Sequence, residues 1–140
     1  MRVVQQPSVQ NNYSTGNILG FLNLLEAARV SGVQKVVFSS TGGAIYGEQD
    51  VFPAPESHAT RPISPYGVSK AAGEGFLLLA KVPVTSLRIA NVTGPRLAIG
   101  PIPTFYKRLQ AGQKCFCSDA VRDFLDMSDF TAFMDLALAE

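Results

Sequence analysis

The segment NILGFLNLLEAARV, residues 17–30, most constrains what this chain can fold into. Its polar positions recur every three residues and form one narrow stripe: Gly20, Asn23, Glu26 and Arg29. A helix that is apolar over the rest of its circumference is buried on more than one side. Gly32 follows and predicts the end of this helix, because glycine accepts the left-handed backbone found just past a helix C-terminus.

Two short strands are predicted from runs that lack polar–apolar alternation, KVVFSS at 35–40 and VTSLRIA at 84–90. Runs of this kind are typical of strands that are covered on both faces. Helices are predicted over 65–81 and 102–112, with a last helix capped by Ser128, and KCFC at 114–117 is a candidate short strand. This alternation favours an α/β layer structure with parallel strands.

Composition and charge exclude several functional classes. The 140 residues are 46% hydrophobic with a net charge of +1, which suits one domain with a core and does not favour a nucleic-acid partner. No apolar run reaches membrane-spanning length, and the start lacks the apolar core of a signal peptide. Cys115 and Cys117 are one residue apart, which is poor disulfide geometry, and without further cysteines or a nearby histidine they make no zinc site. We therefore expect a cytoplasmic protein without a metal or a membrane partner.

Residues 41–65 are predicted to form a loop rich in glycine and proline. Ser64 is a good helix N-cap, and Pro65 suits the first helical position. Gly73 and Gly75 lie inside the helix that follows, where glycine costs about 1 kcal/mol relative to alanine, so both predict close packing against another backbone. Glu56 is consistent either with shaping the loop or with contacting a substrate. His58, the only histidine, is expected to be solvated in this loop.

The stretch SPYGVSK places Tyr66 and Lys70 four residues apart at the start of this helix. Residues with this spacing share a helix face, so that the ammonium can lie beside the phenol. A neighbouring cation favours the phenolate, which makes such a tyrosine a candidate general acid/base for a hydroxyl or ketone. Lysine also has enough donors to reach a diol such as a ribose. The alternative is an ordinary surface pair, since this spacing is common by chance.

Hydroxyl side chains end the first strand at Ser39, Ser40 and Thr41 and run into a glycine turn. Open α/β sheets bind ligands at the carboxyl ends of their strands. A hydroxyl at Thr41 could share a hydrogen bond with the substrate oxygen that Tyr66 protonates or deprotonates. The alternative for these hydroxyls is turn and cap chemistry.

Taken together, five stretches in order resemble the extended short-chain dehydrogenase/reductase family, and most closely its NAD-dependent epimerases of the UDP-glucose 4-epimerase type. They are NILGFLNLLEAA, VVFSSTGGAIYGE, SPYGVSKAAGE, LRIANVTGPR and VRDFLDMSDF. The resemblance implies an incomplete Rossmann-like fold, doubly wound around a parallel sheet, over about residues 1–92. Residues 93–140 would begin a substrate-binding region.

The resemblance also implies roles for individual residues. Tyr66 would be the catalytic acid/base and Lys70 the ribose ligand that tunes it, while Thr41 and Ser40 would hold the reacting sugar hydroxyl. The resemblance implies that NAD is the cofactor and that it binds to Asn17, Ser39, Tyr66, Lys70 and the backbone of Ala90. Asn91 and Arg122 would bind the diphosphate of a nucleotide sugar. The alternative for Asn91 is a plain turn residue, and the alternative for Arg122 is a salt bridge to Asp123 or Asp126. The implied oligomer is a homodimer formed through the helices at 17–30 and 65–81.

The implied reaction is epimerisation by reversible hydride transfer to NAD, with Tyr66 as acid/base. Related dehydratases and decarboxylases carry acidic residues beside the catalytic hydroxyl, where this chain has Gly42, Gly43 and Ala44, and Glu48 lies too far along to replace them. A nucleotide-sugar dehydratase or reductase is the alternative enzyme.

No G-x-x-G-x-x-G or G-x-G-x-x-G turn for the pyrophosphate of NAD is present in these 140 residues. Two hypotheses follow. The chain is the catalytic-motif part of an epimerase that is truncated here, or it is a non-catalytic fragment or dimerisation module. Stable cofactor-free dimers would favour the second.

Overall fold

The computed structural model describes residues 13–116 and 118–139. They fall into two compact units that divide between Arg88 and Ile89, and each unit is described by itself. The assignment of residues 1–92 to a Rossmann-like part and of 93–140 to a substrate-binding region remains a prediction.

The described part of the first unit starts with helix and continues with an alternation of strands and helices. A π-helical turn over Tyr13–Leu19 leads without a break into α1, and β1 and β2 lie side by side in a two-stranded sheet. The elements in order are α1 (Gly20–Val30), β1 (Val36–Thr41), α2 (Gly42–Ile45), α3 (Pro65–Leu77) and β2 (Val84–Ile89). The predicted helix end at Gly32 is confirmed by its φ of 66°.

The core of this unit forms where α1 and α3 pack on β1. Its buried members are Leu25, Ala28, Val36, Phe38 and Leu77. Phe38 is central, because its ring also packs on Phe21 with 4.5 Å between the ring centroids. Full burial of a large apolar side chain contributes about 1.5–3 kcal/mol, so this cluster holds α3 to the strand.

Helix α3 starts as its sequence predicts. The Ser64 side chain accepts a hydrogen bond from the backbone N–H of Gly67 at 3.1 Å, and Pro65 is the first helical residue. The predicted end near Lys81 is wrong, since the helix stops at Leu77. The Leu79 and Ala80 N–H groups donate to the carbonyls of Phe76 and Leu77, three residues back, so the chain tightens into a turn there.

The prediction of an uninterrupted loop over 41–65 is also wrong at its start. One helical turn, α2, follows β1 directly, and it ends on Ile45, whose side chain is fully buried. Burial of this one side chain outweighs the low helix propensity of Gly42 and Gly43. The loop proper runs from 46 to 64.

The second unit contains β3 (Asn91–Thr93), α4 (Pro101–Gln110), β4 (Phe124–Asp126) and α5 (Met127–Ala139). Strands β3 and β4 pair in parallel with Asn91 opposite Phe124, which confirms the prediction of an α/β fold with parallel strands. None of the described helices has both the length and the apolar character needed to cross a lipid bilayer.

Two local predictions in the second unit are wrong. Residues 114–116 do not form a strand, because the Lys114 carbonyl accepts a hydrogen bond from the Arg108 side chain on α4; Cys117 lies outside the described residues. Ser128 does not cap α5. The Asp126 carboxylate accepts hydrogen bonds from the Ser128 N–H and hydroxyl, so the acidic residue satisfies the first turn.

The two helical glycines of α3 have different surroundings. A Cβ at Gly73 would lie 2.5 Å from Cζ of Phe38, so the close packing predicted there exists, but against an aromatic ring instead of a backbone. A Cβ at Gly75 would meet nothing within 4 Å, so the prediction of close packing at Gly75 is wrong.

This difference gives a matched pair of variants for urea unfolding. We expect Gly73→Ala to lower the free energy of unfolding by roughly 1–3 kcal/mol, because Phe38 sits in a packed core and must shift. Gly75→Ala should raise it by up to about 1 kcal/mol through helix propensity alone. Equal changes for the two variants would contradict the close approach of α3 to β1.

Candidate active site

Lys70 is the residue around which the site is arranged. Its Nζ donates a hydrogen bond of 2.6 Å to the backbone carbonyl of Ser39 on β1. The ammonium lies 5.0 Å from the ring centroid of Phe38 and 5.8 Å from that of Tyr66. The predicted juxtaposition of Tyr66 and Lys70 on one helix face is therefore present in the fold.

Burial lowers the pKa of the Lys70 ammonium. The side chain is half-buried, between the core ring of Phe38 and the half-exposed ring of Tyr66. An ammonium has three N–H donors, so the bond to Ser39 leaves two for other acceptors. Lys70 is thus held in place by the protein and keeps hydrogen-bonding capacity for a ligand.

The first turn of α3 lies against the turn that follows β1. A Cβ at Gly67 would collide with the backbone carbonyl of Ala44 in α2 and would lie 2.9 Å from Cβ of Pro62. Only a residue without a side chain allows this approach. It brings the segment after Thr41 next to the residue that follows Tyr66.

The hydroxyls at the end of β1 are buried. Ser40 is 3% exposed and Thr41 is 8% exposed, whereas the Ser39 side chain is exposed. The Ser40 hydroxyl makes no hydrogen bond of normal geometry to another described residue. It is nevertheless close enough to the Glu74 carboxylate to help lower the pKa of Glu74.

Asn17 is connected to the same helix through Ser69. The Asn17 amide donates to the Ser69 hydroxyl at 3.1 Å, and that hydroxyl donates to the backbone carbonyl of Tyr66 at 2.8 Å. The ring of Tyr13 lies 6.0 Å from that of Tyr66, centroid to centroid. The structure therefore brings Asn17, Ser39, Tyr66 and Lys70 together in the first unit.

The other predicted residues lie in the second unit. Asn91 starts β3, so it is not a turn residue, and both its backbone N–H and its side chain donate to the carbonyl of Asp123. Arg122 is exposed and, within the described residues, forms no ion pair with Asp123 or Asp126. Ala90 is half-buried and comes directly before β3 in the sequence.

Several residues of the first unit were not predicted as parts of the site. The Phe38 ring lies beside Lys70, and the Ser69 hydroxyl accepts a hydrogen bond from Asn17. Glu74 forms an ion pair with Arg88 of β2. A signal for the last pair exists in the sequence, since a charged residue inside a strand of buried type needs a charged or polar partner. Nothing local in the sequence identifies Phe38, whose role depends on the packing of α3.

The described residues contain no group of three or more His, Cys, Asp and Glu side chains that could hold a metal ion. His58 packs its ring edge against Tyr46. The chemistry available to the first unit is therefore that of a phenol, an adjacent ammonium and buried hydroxyls. This combination can move a proton to or from the hydroxyl of an alcohol.

The sequence matches the model of the NAD dependent epimerase/dehydratase family over residues 4–140. A putative UDP-glucose 4-epimerase of Methanocaldococcus jannaschii is 36% identical over 135 residues, which cover 87% of this chain and 44% of the relative. The UDP-glucose 4-epimerase of Mycolicibacterium smegmatis is 35% identical over 127 residues, covering 83% of this chain and 41% of the relative. The chain thus spans less than half the length of these relatives.

Solved structures agree with this relationship. The Bordetella bronchiseptica enzyme WbmG in complex with NAD is 53% identical, with a TM-score of 0.88 over 99% of this chain and 44% of that one. The UDP-glucose 4-epimerase of Thermotoga maritima with UDP-glucose is 39% identical, with a TM-score of 0.83 over 91% of this chain and 45% of that one. This likeness confirms the prediction of an incomplete Rossmann-like fold.

Proposed function

Because the chain belongs to the NAD dependent epimerase/dehydratase family, we propose that it carries the acid/base segment of an NAD-dependent UDP-sugar 4-epimerase of the UDP-glucose type. One observation carries the proposal: Tyr66 and Lys70 lie side by side, and the lysine is fixed to the carboxyl end of β1 through the Ser39 carbonyl. In an open α/β sheet that end is where ligands bind.

NAD is the cofactor of the proposed reaction, and the residues present fit the nicotinamide-ribose half of it. Lys70 keeps two donors for a ribose diol, and the carbonyl of Ser39 sets the direction in which they point. Asn17 is joined to the helix of Tyr66 through Ser69, and Ala90 would contribute its backbone. When bound, NAD supplies the reversible oxidation of the sugar.

Tyr66 handles the proton. Its phenolic oxygen takes the proton of the sugar hydroxyl as the alcohol becomes a ketone, and it returns the proton when the opposite epimer forms. The Lys70 ammonium lies 5.8 Å from the ring centroid of Tyr66, so a positive charge stands beside the phenol. Thr41, with Ser40, holds the reacting hydroxyl at the end of β1.

Asn91 and Arg122 are proposed to bind the diphosphate of the nucleotide sugar. Arg122 is exposed, and the described part of the chain contains no carboxylate paired with it. A planar guanidinium can donate two parallel hydrogen bonds to a phosphate. The Asn91 amide nitrogen donates one of its two hydrogens to the Asp123 carbonyl, so the second N–H is left to donate to a phosphate oxygen.

Epimerisation is favoured over dehydration by the turn after Thr41. Elimination of water needs a further acid or base beside the hydroxyl, and α2 supplies only Gly42, Gly43 and Ala44 before the buried Ile45. The relatives from Methanocaldococcus jannaschii and Mycolicibacterium smegmatis carry the names putative UDP-glucose 4-epimerase and UDP-glucose 4-epimerase, and they support this choice. A reductase stays the alternative enzyme, because a dTDP-4-dehydro-6-deoxyglucose reductase of Escherichia coli is 31% identical over 94% of this chain.

The test is turnover of UDP-galactose by the chain in the presence of NAD. Tyr66→Phe should lower kcat by roughly a hundredfold to ten-thousandfold, because the proton acceptor is lost while the ring is kept. Tyr106→Phe on α4 is the matched control and should leave turnover unchanged, since the Tyr106 hydroxyl contacts only Gln110 among the described residues. Near-normal turnover of Tyr66→Phe would contradict the proposal, and so would a wild-type chain without turnover.

We also propose that the chain forms a homodimer through α1 and α3. The supporting observation is apolar surface on both helices: Leu24 is 53% exposed, Val30 69% and Val68 53%. Large side chains of this kind on helices that also face a core are typical of an interface.

Analytical ultracentrifugation tests the dimer without any cofactor. We expect the wild-type chain to sediment as a dimer and Leu24→Glu to shift it to monomer, because a carboxylate in an apolar interface is not paired. Val121→Glu is the control, since Val121 is exposed and lies on neither helix. A monomeric wild type would rule the dimer out. A dimer that does not turn over UDP-galactose would favour an association module over an enzyme.

A further inference from the structure

The guanidinium of Arg88 on β2 joins three other segments of the first unit. Nε donates to both oxygens of the Glu74 carboxylate, at 3.0 Å to Oε1 and 3.2 Å to Oε2. Nη2 donates to Oε2 at 2.7 Å. Nη1 donates to the hydroxyl of Tyr46 at 3.0 Å and to the backbone carbonyl of Glu56 at 2.8 Å. All three nitrogens of the guanidinium are thus used.

This ion pair is more enclosed than the other pairs in the described residues. The Arg88 and Glu74 side chains are 24% and 15% exposed, whereas those of Arg61 and Asp50 are 63% and 70% exposed. Burial is the largest single influence on the Glu74 carboxyl and would raise its pKa, but hydrogen bonds from Arg88, Ser40 and Ser86 and the charge of Arg88 together lower the pKa. Hydrogen bonds to Glu74 and Tyr46 raise the pKa of Arg88, so both groups stay charged.

The partners of Arg88 lie on both sides of the candidate active site. Glu74 is on α3, four residues after Lys70 and eight after Tyr66, which is one and two helical turns along a similar face. Tyr46 directly follows α2, the turn that leaves β1 at Thr41. Glu56 belongs to the loop that runs from this turn to the cap of α3 at Ser64. One side chain therefore connects the segment of the phenol and ammonium with the segment of the buried hydroxyl.

We propose that Arg88 is a positioning residue for the Tyr66/Lys70 site. By binding Glu74, Tyr46 and Glu56 at once, it holds α3 and the turn after β1 in one relative position, so that the helix of Tyr66 and Lys70 keeps its place against β1 and that turn. The catalytic meaning of this position rests on the proposed function, whereas the positioning itself can be measured without cofactor or sugar.

Arg88→Lys is the decisive variant, because it keeps the charge but replaces a planar set of donors by a single ammonium. Three backbone amides report on the site: Arg61 donates to Ile45, while Gly67 and Val68 donate to Ser64. We expect amide hydrogen exchange at these positions to accelerate roughly tenfold, as the loss of hydrogen bonds to a charged group implies. The Val36 amide, which donates to Pro83, should keep its rate.

A second readout separates positioning from simple loss of stability. In reductively methylated chains, the ¹³C resonance of Lys70, assigned with Lys70→Arg, reports the pKa of its amine. Burial lowers that pKa in the wild type, where the neighbours of the ammonium are the rings of Phe38 and Tyr66 and the Ser39 carbonyl. Arg88→Lys preserves the charge at residue 88, so a rise of the Lys70 pKa toward its ordinary value would show that α3 has moved.

Arg29→Lys is the matched control, since it makes the same substitution in an exposed pair with Glu26 and lies at none of the three reporting amides. Arg88→Lys with exchange rates and a Lys70 pKa equal to those of this control would overturn the proposal. A uniform acceleration that includes Val36 would overturn it as well. If Arg88→Lys fails to fold, Tyr46→Phe is the second variant, because it removes one hydrogen bond and keeps the ion pair. It should accelerate amide exchange at Arg61 and not at Val68. Equal exchange rates at Arg61 in the wild type and in Tyr46→Phe would contradict the inference.

Discussion

The close approach of α3 to β1 at Gly73 is the constraint on which the first unit depends. Because Gly73 has no side chain, the ring of Phe38 can lie against the helix backbone. The same ring packs on Phe21 and lies under the ammonium of Lys70. One contact thus joins the hydrophobic core to the functional end of the helix, and the distance from Lys70 to the Ser39 carbonyl follows from it.

The site is therefore a consequence of packing, and its residues come from elements that the core and a half-buried ion pair hold together. Gly67 brings the first turn of α3 against Ala44, while Arg88 connects α3 to the segments around Tyr46 and Glu56. A phenol and an ammonium that are held in this way need little reorganisation to exchange a proton with a bound alcohol. This preorganisation is what the first unit would contribute to an epimerase.

Local patterns were sufficient to predict the parts of the fold that depend on neighbours in sequence. The capping of α3 by Ser64 and the shared face of Tyr66 and Lys70 are examples, because both follow from helix geometry. The helical turn α2 was missed because it depends on the burial of Ile45, and the pairing of Arg88 with Glu74 was missed because its members are fourteen residues apart. Such contacts form only when the tertiary structure brings separate segments together.

We propose above all that Lys70, fixed to the Ser39 carbonyl, forms part of a nicotinamide nucleotide site. Calorimetric titration of NAD into the purified chain and into Lys70→Met tests this claim most directly, with Lys81→Met, an exposed lysine outside α3, as the control. We expect NAD to bind saturably to the wild type and to Lys81→Met. The affinity of Lys70→Met for NAD should be lower by roughly tenfold or more, since a hydrogen bond from a charged donor is lost. No binding to the wild type, or equal affinity in all three chains, would contradict the claim.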